Sequence, residues 1–353
     1  MCDRLTYSPR PGPSGGRRPP VRTLVLWGAL TALILTTLGG WVVATQTAPD
    51  RVGTTAEPAA GTAALSLPWP EEGQASVIDT GSGRSGTSGA QRPVPIASLA
   101  KVMTAHVILT GHRLGERESG PEVRVDRRAA EESFSSAEST VIVQEGQRFS
   151  QRQLLEMLLL PSGNNIARLL ARWDAGSEAA FTAKMNRAAT ALGMTRTTYT
   201  GASGIEPTTT STSDDQLRLA RAVMKDPAFR AIVATRETTI GQGVGTITNT
   251  NKLLGTSGIV GVKTGSSTPA GGALMWAATA PRDPAATPRS PEAAPRSPEA
   301  APRDPAAAPR DPAGLILGVV LHQDPGTTPA QGLRTAFDVT ERLAAAAQRG
   351  AGR

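Results

Sequence analysis

The chain has 353 residues, a formal net charge of +7, one cysteine and three histidines. That length suits one large or two medium domains with a real core, and the lone Cys2 excludes an internal disulfide. His106, His112 and His322 lack metal-ligand spacing, so neither a metal site nor a cofactor is expected. Five arginines against Asp3 place +4 of the charge within residues 1–22. The remainder is spread thinly, without the basic run or interleaved aromatics of a nucleic-acid face, and no nucleic-acid partner is expected.

Thr23 to Ala44 is nearly free of charge and long enough to cross a bilayer, with Trp27 and Trp41 near its ends. Arginines precede it and none follows until Arg51. The pattern predicts a transmembrane helix over 23–45 and a basic cytoplasmic tail over 1–22. The bulk of a single-pass cell-membrane protein then lies outside the cytoplasm. The alternative is a cleaved signal and a secreted product. The apolar region is long for that, and no clean Ala-x-Ala site follows Val43. Residues 46–66, rich in Thr, Ala, Gly and Pro, read as a flexible tether. A folded domain occupies 67–348, and 349–353 form a short tail.

Within that domain Ala75 to Ile78 reads as a first strand and Gly81 to Gly89 as a turn region. Leu99 to Leu109 is apolar on nearly every face, the pattern of a helix buried all round. Pro95 lies before it, and Gly111 closes it. Ser98 falls in the first turn, where backbone N–H groups lack intrahelical partners, and Lys101 is one turn along on the same face. A hydroxyl and an amine aimed at one point suit a nucleophile beside its base. Taken alone, Ser-x-x-Lys is equally a chance pattern.

Residues 112–150 are polar and mixed, with a short strand expected at Val141 to Val143. Gln153 to Leu160 reads as a helix stopped by Pro161. After Ser162-Gly163-Asn164 a second helix carries Ile166, Leu169, Leu170 and Trp173 at i, i+3, i+4 and i+7. The Ser-Gly-Asn trio by itself fits a helix cap. Further helices are expected at Glu178 to Leu192 and Asp214 to Met224, separated by a Thr/Ser-rich loop over Gly201 to Ser213. Ile259 to Thr264 is a strand leading into Lys263-Thr264-Gly265, and Ala273 to Thr279 and Leu315 to Leu321 are two more. Pro281 to Ala313 repeats Pro-Arg-(Asp/Ser)-Pro-(Ala/Glu)-Ala-Ala nearly five times. So proline-rich a segment, with almost no bulky apolar side chain, builds no core and is expected to be extended, disordered and solvated. Gln331 to Gln348 reads as a helix packed back on the sheet.

Ser-x-x-Lys, Ser-x-Asn and Lys-Thr-Gly, in this order and at a helix start, an inter-helix turn and a strand end, form a known constellation. Each motif is weak; together they are specific. On these residues the chain resembles the serine-type D-alanyl-D-alanine carboxypeptidases, the low-molecular-mass penicillin-binding proteins, over roughly 70–346. Pro95-Ile96-Ala97-Ser98-Leu99-Ala100-Lys101-Val102-Met103-Thr104-Ala105 is similar to the family's nucleophile segment. Leu158-Leu159-Leu160-Pro161-Ser162-Gly163-Asn164-Asn165 is similar to its second motif. Asn249-Thr250-Asn251-Lys252-Leu253-Leu254 and Gly261-Val262-Lys263-Thr264-Gly265 are similar to its third, and Ser203-Gly204-Ile205 to a Ser/His-Gly-Leu element. Family members usually carry Asp at the position of Asn165, many have a C-terminal amphipathic anchor, and the proline-arginine repeat is foreign to the pattern.

The resemblance implies a β-lactamase/transpeptidase-like α/β (α+β) fold: a five-stranded antiparallel sheet flanked by helices, plus a helical subdomain. It implies Ser98 as acyl-ester nucleophile, Lys101 as general base, Ser162 as proton relay and Asn164 as the group orienting Lys101 and the substrate amide. Lys263 and Thr264 would bind the substrate carboxylate, Gly265 would let the substrate approach the strand, and Ser266 would supply an oxyanion N–H beside that of Ser98. The partners implied are a peptidoglycan stem peptide ending in D-Ala-D-Ala and β-lactam antibiotics. The rival readings are a serine β-lactamase, for which Glu206-Pro207 offers the only suggestive glutamate, and a non-hydrolytic β-lactam sensor.

Overall fold

The computed structural model describes residues 65–280 and 314–351. The expected tail, transmembrane helix and repeat, and the tether up to residue 64, lie outside the described residues. Among the described residues no helix is long and apolar enough to cross a membrane.

The chain enters through strands β1 (Gln74–Asp79) and β2 (Ser85–Ser88), the short β3 (Val94–Pro95) and helix α1 (Ala100–Gly111). Strand β4 (Glu122–Arg124), helix α2 (Arg127–Glu132) and strand β5 (Arg148–Ser150) lead to α3 (Gln151–Leu159), α4 (Asn164–Ala175) and α5 (Glu178–Ala191). Then come β6 (Thr210–Ser211), α6 (Ser213–Val223), α7 (Pro227–Val233) and the hairpin of β7 (Glu237–Ile240) and β8 (Gly245–Thr248). Three long strands, β9 (Ile259–Ser267), β10 (Gly271–Thr279) and β11 (Leu315–Gln323), precede the terminal α8 (Pro329–Ala351).

The expected five-stranded sheet is present, in the order β2-β1-β11-β10-β9 with every neighbour antiparallel. Its central strands read as unbroken apolar runs because both faces are covered. Side chains alternate across a strand. Leu315, Leu317, Val319 and Leu321 therefore enter the core shared with the helices, while Ile316 and Val320 enter the core beneath α8. On β10, Ala273, Met275 and Ala277 face the first core, and Leu274, Trp276 and Ala278 face the second. Helix α8 closes the second core with Val339, Leu343, Ala344 and Ala347.

On the other face α1 lies inside a ring of helices, in contact with α3, α4, α5 and α6. Its residues from Ala100 to Ala105 are all buried, which is why its sequence shows no polar face. Helix α4 buries Ile166, Leu169 and Leu170, with Trp173 half-buried at the edge of the stripe.

Three local expectations change. The region 81–89 contains an edge strand, β2, that Ser, Gly and Thr build without apolar side chains. Val141 to Val143 is not a strand. The Val141 backbone bonds instead to the Asn165 side chain, which accepts from Val141 N at 3.1 Å and donates to Val141 O at 2.9 Å. Helix α7 and the β7–β8 hairpin were not expected, although Asp226 caps α7 by accepting from Phe229 N and Pro227 stands in its first turn, both legible start signals.

The repeat is inserted at the tip of the β10–β11 pair. There Ala280 N donates to Gly314 O at 2.9 Å, so the sheet closes around the insertion point without it.

Candidate active site

Ser98 is the middle residue of a 3₁₀ turn, Ala97–Leu99, that runs directly into α1. Ala97 is held at φ +45°. Such a conformation costs an L-residue roughly 1–3 kcal/mol and persists only where its surroundings impose it. Gly204 packs against it: a Cβ on Gly204 would lie 2.0 Å from Ala97 O, so only glycine lets the 203–205 loop close over the turn. Gly265 does the same from the strand side, because a Cβ there would lie 2.8 Å from Leu99 Cδ1 and 3.0 Å from Ile96 O. On that face of β9 the space a side chain would need is filled by the turn carrying Ser98.

Lys101 is fully buried. Its Nζ lies 2.8 Å from Ser98 Oγ, 2.5 Å from Asn164 Oδ1 and 2.8 Å from Ser203 O. Two of those neighbours, the amide oxygen and the backbone carbonyl, can only accept. A neutral amine has two hydrogens and one lone pair. Both hydrogens go to the obligate acceptors, and the lone pair is left for the O–H of Ser98. Burial, and next the charge of Lys263, hold Lys101 well below the ordinary lysine range, which favours its neutral form.

Ser162 sits on the α3–α4 turn at φ +69°, and its buried Oγ has no hydrogen-bond partner. The capping alternative for this trio does not hold: Gly163 occupies the N-cap without a side-chain bond, and Asn164 is already helical. The Asn164 side chain instead bridges Lys101 and Glu138, donating from Nδ2 to Glu138 Oε2 at 2.6 Å. Asn165 is fully buried and uses its amide at both ends, donating also to Ala129 O at 3.1 Å. A carboxylate could make only the accepting contact, which accounts for Asn rather than Asp here.

Lys263 is buried on β9. Its Nζ donates to Thr264 O at 3.0 Å, and burial lowers its pKa to about 7. Thr264 Oγ1 is 2.7 Å from Thr250 Oγ1. Thr250 in turn donates from its backbone N and its Oγ1 to Leu160 O, at 3.1 and 3.2 Å. The Asn-Thr-Asn segment therefore ties the strand motif to the end of α3, two residues before Ser162.

A cavity of about 470 Å³ opens over these groups, lined among others by Ser98, Glu138, Asn164, Gly204, Ile205 and Ser266. Lys101, Ser162, Lys263, Thr264 and Gly265 do not line it and are buried. All three motifs thus meet at one point, with Ser98, Asn164 and Ser266 in the wall and the two lysines behind it.

The D-alanyl-D-alanine carboxypeptidase family profile matches residues 67–287. The chain belongs to the D-alanyl-D-alanine carboxypeptidase family. It is 34% identical over 198 residues to the D-alanyl-D-alanine carboxypeptidase of Streptomyces sp. strain K15, covering 52% of this chain and 67% of that relative. It is 28% identical over 192 residues to D-alanyl-D-alanine carboxypeptidase DacF of Bacillus subtilis, covering 53% of this chain and 48% of that relative. The crystal structure of the Streptomyces K15 DD-transpeptidase superposes with a TM-score of 0.61 at 26% identity, over 79% of this chain and 98% of that one. The mixed α/β architecture is that of the DD-peptidase fold.

Motif spacing alone did not reveal Glu138 as part of this family member's site. One signal was available: Arg168 follows Asn164 by one helical turn, beside the apolar stripe of Ile166, Leu169 and Leu170.

Proposed function

We propose that the protein is a serine-type D-alanyl-D-alanine carboxypeptidase that removes the terminal D-alanine from peptidoglycan stem pentapeptides and is acylated by β-lactams. The observation that carries this reading is Lys101: a buried amine whose two acceptor-only partners leave its lone pair to Ser98 Oγ, 2.8 Å away.

Ser98 Oγ bonds to the carbonyl carbon between the last two D-alanines while Lys101 takes its proton. General-base transfer of this kind contributes on the order of 10² to 10⁴ in rate. Ser162, whose hydroxyl has no competing partner, relays the proton to the leaving nitrogen as the C–N bond breaks. D-Alanine departs, and water then cleaves the ester and regenerates Ser98. The N–H groups of Ser98 and Ser266 receive the developing oxyanion, each worth roughly 10² to 10³ in kcat. Lys263 and Thr264 bind the terminal carboxylate, the lysine through its charge, and Asn164 orients both Lys101 and the substrate amide. With a β-lactam the same attack opens the ring amide, whose nitrogen stays tethered and blocks the water.

Glu206, the one candidate for a lactamase-type deacylating glutamate, does not line the cavity. Release of D-alanine from a pentapeptide, with fluorescent penicillin labelling that Ser98→Ala abolishes, tests the reading. Fast turnover of penicillin would favour a lactamase, and labelling without peptide turnover a sensor. Because the Streptomyces relative is named a DD-transpeptidase, an amine acceptor belongs in the assay; its capture of the acyl group would widen the activity to transfer.

The 23–45 segment anchors the protein in the cell membrane, with residues 1–22 cytoplasmic and the catalytic domain outside. The charge asymmetry and interfacial tryptophans support this placement. Recovery of the full chain in the soluble fraction after cell disruption would sink it.

A further inference from the structure

Glu138 belongs to none of the three motifs, yet it lines the active-site cavity and only 12% of its side chain is exposed. One carboxylate oxygen accepts from Asn164 Nδ2 at 2.6 Å, and the other from Arg168 Nη2 at 2.5 Å. Arg168 Nη1 also reaches the first oxygen at 3.2 Å, and its Nε donates to Glu132 at 2.8 Å. Burial disfavours the Glu138 carboxylate, but the hydrogen bonds from Arg168 and Asn164 outweigh it and keep Glu138 below the usual carboxylate range.

A carboxylate only accepts. Facing one, the Asn164 amide has a single orientation that avoids opposing two acceptors, with nitrogen toward Glu138 and oxygen toward Lys101. Turned over, Asn164 would present its NH₂ to Lys101 Nζ, claim the lysine lone pair, and leave Ser98 without a base.

Resting on the carboxypeptidase reading above, we propose that the Glu138–Arg168 ion pair is a positioning device for the acylation step: it locks the Asn164 amide in the one orientation that leaves the Lys101 lone pair free for Ser98. Neither residue needs to touch the reacting atoms. Arg168 keeps Glu138 ionised and fixed on the helix that carries Asn164.

The pair also acts on Lys101 through charge. The ionisable groups bearing on Lys101 are Lys263 on β9, Glu138 ahead of α3, Arg168 on α4 and Glu206 in the loop after Ser203. Lys263 and Arg168 push the lysine toward its neutral form, while Glu138 and Glu206 oppose them. Removing one member of the pair therefore shifts the acid limb of the acylation rate in a direction set by the charge removed.

The test is the rate of fluorescent penicillin acylation of the full chain as a function of pH, counted per molecule that finally labels, so that a partly unfolded preparation does not blur it. In Glu138→Gln, Arg168 holds the amide oxygen and the new NH₂ faces Asn164, which turns over. Acylation is expected to slow on the order of 10- to 100-fold, the weight of one hydrogen bond to a charged group, with the acid limb moved to lower pH. In Arg168→Met the limb is expected to move to higher pH. If either single variant fails to fold, the double variant Glu138→Gln/Arg168→Met removes both charges of the pair, Glu132 keeping Arg172 Nη1 at 4.0 Å, and is expected to acylate slowly with the limb nearly unmoved. Wild-type rates with an unmoved limb in the folded variants would overturn the proposal. A wild-type chain that does not label would instead sink the functional reading beneath it.

Discussion

Behind the sheet, α8 presses Val339, Leu343 and Ala344 onto a layer built from Leu274, Trp276 and Val320. In front, α6 and the turn that carries Ser98 pack onto the same sheet, while α1, set among the helices, carries Lys101 into the interior and β9 adds Lys263. The back layer holds unpartnered polar atoms at Trp276 Nε1 and Thr340 Oγ1 and, among the described residues, no buried lysine. The front layer concentrates Lys101, Lys263, Asn164 and Asn165. Burying a charge is costly. The two buried lysines, both in front and both within the motifs, mark where chemistry rather than stability has set the residue, while the back face contributes ordinary apolar packing.

The largest expected effect comes from removing the front-face charge. Lys101→Met should lower the acylation rate of the folded molecules on the order of 10² to 10⁴-fold, and stability should also drop because Asn164 Oδ1 and Ser203 O lose their donor. A rate close to wild type would mean another base serves Ser98. A different signature belongs behind the sheet. Leu343→Ala should cost about 2–5 kcal/mol of stability in denaturant unfolding while each folded molecule acylates at the wild-type rate; a matching loss of rate would show that the two layers are coupled.

Asn165→Asp probes a front-face group with no charge of its own. It should cost about 1–3 kcal/mol, because the Ala129 and Val141 carbonyls lose their donor, and unchanged unfolding would place those bonds elsewhere.

A smaller effect is expected from pH. Lys101 serves as base only when neutral, so activity falls as pH drops through its lowered pKa. Lys263 attracts the substrate carboxylate only when charged, so kcat/KM for a pentapeptide should also fall as pH rises through about 7. A stem peptide ending in a carboxamide should lack that alkaline fall. If both substrates decline together, Lys263 is not the carboxylate partner.

Replacing 281–313 with a short turn should change neither acylation nor stability, since Ala280 and Gly314 already bond to each other. Lost activity would give the repeat a role in the enzyme.

Much of this was legible in the chain itself. Periodicity marked α4, the all-apolar run marked α1, and the motif order marked where Ser98, Lys101, Ser162, Asn164, Lys263 and Thr264 would meet. These signals are local: each depends on spacing within one element or on a motif seated at an element's end. The Ser-to-Thr edge strand β2 escaped because backbone pairing alone defines it. The stretch at Val141 reads as a strand because its β-branched residues favour that shape, but its partner is a side chain from α4, 24 positions away. The Glu138–Asn164 bond spans 26 positions and the Lys101–Asn164 bond 63, and no periodicity reports such contacts. Residue types and motif order determined which groups could react. Only the packed structure decided which amide face Lys101 meets, why Gly265 must lack a side chain, and that a carboxylate outside every motif stands behind Asn164. Each of those depends on atoms brought together from distant parts of the chain.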